Sequence, residues 1–140
     1  MVSSRPAELV AIDEDEARRL LAAAPVVRVA FATPHGPDVL PVNHVVHDGV
    51  VYFRTTAGSK LGTAAAGEPV ALEADDADRE RRLGWSVVAH GHATIVTDPA
   101  LEERLLALEF DPWLDPSARP FWVRVALEHV TGRRIVRPGD

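Results

Sequence analysis

The chain is written mostly in strand patterns, with three short helical stretches between them. Residues 1–11 read as a loose lead-in. "IDEDEARRLLAAAP" then takes a helical period, with Asp13 at the N-cap and Glu16 three residues on, a capping-box pattern. Ala17, Leu20, Leu21 and Ala24 form its apolar stripe, and Pro25 stops it. "VVRVAFA" is β-rich and apolar on both faces apart from Arg28. "TPHGPD" is a turn, and "VLPVNHVVHD" returns as the second strand of a hairpin. Asp48-Gly49 predicts a tight turn into the third strand, "VVYFRTT".

Beyond Gly58, "KLGTAAA" predicts a helix of about two turns ending at Gly67. "PVALEAD" is a fourth strand and "DADRERR" a charged connection. "LGWSVVAHGHATIVTD" is a long fifth strand, in which Gly91 predicts a bulge or sharp bend. "PALEERLLALEF" is an amphipathic helix with Pro99 in its first turn. "DPWLDPSARP" is a proline-punctuated loop, and "FWVRVALEHVTGRRIVR" is a strand pair or one long bent strand. About six strands, mostly hairpin-linked, with helices at their margins, predict a six-stranded antiparallel β-barrel. A barrel's outer face should alternate with polar residues. Where strands are apolar on both faces something covers them, and with so few helices a second copy is the expected cover.

Composition narrows the picture. A chain of 140 residues suits one domain, taken as 1–140. A net charge of −6 argues against broad nucleic-acid or anionic-membrane binding. No window approaches the roughly 18 apolar residues of a membrane helix, and the start carries no apolar signal core. With no cysteine, disulfides and thiolate metal sites are excluded, which suits the cytoplasm.

Lys60 is the sole lysine, among arginines. In "YFRTT" Tyr52 and Arg54 share one strand face, Phe53 and Thr55 the other. Gly58 permits a tight turn, and Ser59 sits where an N-cap belongs. With Lys60 as a point charge and Arg54 as a planar fork, this is a candidate phosphate pocket; the alternative is a capped surface helix with a solvated lysine. It is no Walker loop, the order being G-S-K. Trp85, beside Ser86 at the start of the fifth strand, could cover a flat ligand or plug a barrel end. His90 and His92 share a face, His44 and His47 do not, and no third ligand stands at metal spacing. No catalytic acid, base or nucleophile set can be assigned.

"LPVNHVVHDGVVYFRTTAGSKL", followed in order by "PVALEAD", "GWSVVAHGHATIVTD" and "TGRRI", resembles the pyridoxamine 5'-phosphate oxidase-like flavin-binding proteins from about Val26 to Ile135. The resemblance implies a split β-barrel, a homodimer, and FMN at the dimer interface. It implies that Arg54, Thr55 and Thr56 hold the flavin phosphate, completed by Ser59 and Lys60. It places Pro41, Val42 and Asn43 along the isoalloxazine ring, with Trp85 and Ser86 approaching from the other subunit. The C-terminal Arg-His pair that grips substrate phosphate in the true oxidases is not matched in "TGRRIVRPGD", so the expected substrate or electron donor is another small molecule. Some related barrels bind a deazaflavin cofactor, which remains the alternative to FMN, as a non-enzymatic flavin module does to an oxidoreductase.

Overall fold

The computed structural model describes residues 6–56, 58–108 and 121–139. Their order is β1 (Glu8–Ile12), α1 (Glu14–Ala23), β2 (Val27–Thr33), β3 (Gly36–Val42), β4 (His44–His47), β5 (Val50–Thr55), α2 (Lys60–Ala64), β6 (Ala66–Asp78), β7 (Leu83–Ile95), α3 (Pro99–Leu108) and β8 (Phe121–Val136). The strands form one antiparallel sheet in the order β3-β2-β6-β7-β8-β5-β4, with β1 added on β8. β3 and β4 are consecutive in the chain and separated only by Asn43, yet they lie at opposite ends of that order. One residue spans a few ångströms, so the sheet must curl until its edges approach. That curl makes it a split β-barrel.

Local chemistry explains several elements. Asp13 caps α1 by accepting from the Glu16 amide at 2.8 Å. Asp48 and Gly49 both take positive φ, 51° and 75°, the geometry of a tight hairpin turn. At Gly91 a Cβ would stand 2.3 Å from the Ala126 carbonyl oxygen, so only glycine lets the two strands approach. The β7–β8 register shifts beside it, between His90 and Gly91. Pro99 begins α3 as expected.

The strand count differs from expectation: eight among the described residues, not six. The lead-in contributes β1, which pairs with β8 from Glu8↔Val136 to Ile12↔Gly132, a contact between chain ends that local patterning does not reveal. "VLPVNHVVHD" is two strands, because the barrel seam falls at Asn43. α2 is a single turn ending at Ala64, and Gly67 lies inside β6. β6 also runs on to Asp78, into the expected charged connection. The C-terminal stretch is one strand rather than a pair. The expected loop "DPWLDPSARP" lies outside the described residues.

The core is the barrel interior. Val27, Val29, Phe53, Leu72, Val87, Ala89, Val123 and Val125 are fully buried there, with Leu21 of α1 and Leu61 of α2 against them. The outward positions of β2 are Arg28, Ala30 and Ala32, so the two-sided apolar reading of "VVRVAFA" came from small alanines, not large side chains. A second cluster, Tyr52, Val96, Leu105 and Trp122, sits where α3 covers the outside of β5 and β8.

Candidate functional site

The turn after β5 is held by its own side chains. Ser59 caps α2: its Oγ accepts from the Gly62 amide at 2.9 Å and donates to the Thr56 carbonyl at 2.8 Å. Its remaining lone pair faces the Thr55 hydroxyl at 3.0 Å, and Thr55 is buried. A hydroxyl has one donor and two acceptor positions, so Ser59 is fully used. The structure thus gathers Thr55, Thr56 and Ser59, but commits the Thr55 and Ser59 hydroxyls to shaping the turn. Gly58 serves that turn with φ +81°.

Lys60 follows at the first position of α2, 67% exposed, and its Nζ stands 3.5 Å from Asp38 Oδ2. Asp38 belongs to β3, and sequence reasoning missed it: a contact across 22 residues leaves no local signal. Arg54 is on the other face of β5 from Thr55 and stacks over the Trp122 ring, 5.4 Å from its centroid. Trp122 was missed as well; its place in "FWVRV" gives only a strand period.

Pro41 and Val42 lie on β3, opposite Arg28 and Val27 of β2. Pro41 therefore faces outward, and Val42 packs against the core. Asn43 sits at the seam, its Nδ2 donating to the Pro25 carbonyl at 3.4 Å. Next to it His44 donates from Nε2 to the Leu21 carbonyl at 2.8 Å, which leaves Nδ1 as a buried atom with no partner. Burial holds the imidazole below its ordinary pKa, and the Leu21 bond opposes this in part.

Trp85 and Ser86 begin β7 far from these groups. Trp85 pairs with Asp76 and Arg134 and packs on the core, so its ring closes a barrel end. Arg134 beside it reaches Glu16 of α1 at 3.1 Å. Ser86 points the opposite way, level with Asp75 and Arg133. A groove of about 350 Å³ opens here between Trp85, Leu83, Asp78, Ile135 and Arg137. Arg54 is level with Trp122, whose carbonyl receives the Val96 amide, at the far end of β7. At about 3.3 Å per residue, roughly 36 Å of chain along β7 separates the Arg54 row from Trp85. One chain does not bring the two sets together.

Several other ionisable groups are engaged in contacts on the barrel surface. Arg28 bridges Glu73 and Asp75 at 3.0 and 2.8 Å. Burial, reinforced by Asp75, raises the Glu73 carboxyl above its ordinary range. His90 lies against His129 with ring centroids 6.1 Å apart, and His92 meets Glu128 at 2.7 Å. Among the described residues no three His, Cys, Asp or Glu side chains group to hold a metal.

The fold defines the class, an antiparallel split barrel with a cation-bearing turn after β5. Residues 13–134 match the family model described as pyridoxamine 5'-phosphate oxidase, and the chain belongs to that family. It is 46% identical over 134 residues to an uncharacterized protein of Mycobacterium tuberculosis, Rv0080, covering 92% of this chain and 87% of that one. Among solved structures it is similar to the FAD binding protein of Mycobacterium smegmatis, with 35% identity, a TM-score of 0.76, and coverage of 89% of this chain and 98% of that chain. A FAD-binding protein of Mesorhizobium loti superposes with a TM-score of 0.75 over 90% of this chain and 97% of that chain, and at 23% identity speaks to the fold alone.

Proposed function

We propose that this chain is a flavin-nucleotide-binding protein that works as a flavin-dependent oxidoreductase on a small molecule, as a homodimer in the cytoplasm. The observation that carries the reading is the 35% identity to a FAD binding protein over nearly the whole chain. The donor set fits: Lys60 is an exposed cation at the mouth of a turn whose shape is fixed by Thr55, Thr56 and Ser59. Lys60 holds a flavin phosphate, while the β3 backbone from Pro41 to Asn43 lines the ring. A flavin supplies the redox chemistry when bound, and the protein contributes binding, orientation and exclusion of water.

Two observations support a second copy in the site. Ser86 and Arg54 lie at opposite ends of β7 within one chain, so a site that uses both needs a partner. The outward residues Ala30 of β2 and Ala71 of β6, which pair with each other, and Val88 of β7 are small or β-branched apolar side chains that stay half-exposed in the single chain. Family resemblance implies FMN, and the Mycobacterium smegmatis relative favours FAD as a second reading; both present phosphate to Lys60.

The test is the cofactor retained on purification, read by its spectrum and then released and identified. Two visible flavin bands, and saturable NADH or NADPH oxidation with an added acceptor, are the expected result. A single deazaflavin band, or no binding of added flavin, overturns the reading. Flavin bound without saturable turnover leaves a binding module and removes the enzyme.

A further inference from the structure

Lys60 does not stand alone. Its Nζ is paired with the carboxylate of Asp38 at 3.5 Å, and Asp38 is the more buried partner, with its side chain 37% exposed. Asp38 is also fixed in place, because its Oδ1 accepts from the Val39 amide at 3.0 Å. The pair is neutral as a unit, so an anion approaching Lys60 meets a fixed negative charge within a few ångströms of the positive one. A monophosphate ester with a second pKa near 6 carries close to two negative charges at neutral pH. Each phosphorus of a pyrophosphate diester carries one. The repulsion from Asp38 is then about twice as large for the terminal phosphate of FMN as for the nearest phosphate of FAD.

We propose that Asp38 is a specificity-determining residue of the flavin site, setting the preference between flavin nucleotides by disfavouring a dianionic terminal phosphate at Lys60. This rests on the phosphate role proposed for Lys60. The chemistry selected is a singly charged phosphodiester, as in a flavin dinucleotide. One unit-charge interaction at this distance in a well-solvated setting corresponds to roughly three- to tenfold in affinity.

The experiment is a set of fluorescence titrations of the full chain with FAD, FMN and riboflavin. The parent is compared with Asp38→Asn, which removes the charge and keeps the acceptor for the Val39 amide, and with Asp38→Glu, which keeps the charge. In Asp38→Asn, FMN tightens about three- to tenfold more than FAD, and riboflavin is unchanged. Asp38→Glu keeps the parent's FAD-to-FMN ratio. A ratio that stays within twofold of the parent in Asp38→Asn overturns the proposal. Lys60→Ala separates the two layers of the account. If it weakens both nucleotides while the Asp38→Asn ratio is flat, only the role of Asp38 fails. If it weakens neither, the phosphate reading fails and takes this proposal with it.

Discussion

The two ends of β7 are built differently. At the Val96 end both sides of the sheet carry packed side chains: Phe53 and Val123 fill the barrel, while Tyr52, Trp122 and Leu105 pack on its outside under α3. There the cations are held in place, Arg54 on an indole ring and Lys60 beside a carboxylate. At the Leu83 end α1 closes the barrel, but the outside stays open as a groove, with Leu9 and Ile135 exposed beside it. In the proposed dimer, the closed end with its placed charges and the open end with its apolar walls would come from different copies and face one ligand. Within one chain they sit too far apart to act together.

The largest test of that layout is Gly91, between the two ends. A side chain there must enter the Ala126 carbonyl, so Gly91→Val should cost about 3 kcal/mol or more. Thermal or denaturant unfolding reads this directly, and a loss under about 1 kcal/mol means that the strands are not so close. Next comes Lys60→Ala. A hydrogen bond to a charged group is worth roughly 1.5–3 kcal/mol, so flavin nucleotide binding should weaken on the order of 10- to 100-fold. Riboflavin, lacking phosphate, should bind as before. Equal losses for both ligands would assign the effect to the fold instead.

Asp13→Ala sharpens the contrast from the other end. Loss of an N-cap costs about 1 kcal/mol, and α1 braces the Trp85 end through the Glu16–Arg134 contact. Stability should fall while the dependence of binding on Lys60 stays intact. The smallest effect is that of pH at His44. Its folded pKa lies below the ordinary 6.5, so the unfolded chain takes up a proton that the folded chain resists. The stability due to the neutral imidazole is present above about 6.5 and is lost as the pH falls toward the folded value. His44→Gln should flatten that part of a stability-versus-pH profile, and an unchanged slope would assign it to other groups.

Much of this layout was legible where the cause is local. The Asp13 cap, the Asp48-Gly49 turn, the Ser59 cap and the Gly91 bulge each follow from chemistry within a few residues of sequence. What was illegible is non-local. Nothing around Asn43 announces that the chain leaves one sheet edge for the other, since the curl of the whole barrel makes the crossing short. β1 exists only because β8 offers it an edge. Asp38 looks like a turn residue until β3 brings it to Lys60. Trp85 and Ser86 take opposite faces of β7 by the strand period, the ring packing on the core and the hydroxyl pointing outward, yet both border the groove at the Leu83 end, which no local pattern shows.

The central claim is that the flavin site is completed by a second copy of the chain. The direct measurement is the mass of the flavin-loaded protein by light scattering at micromolar concentration. The account predicts about twice the chain mass of 15.2 kDa, with one flavin per chain. A particle of a single chain's mass that still carries flavin would contradict it.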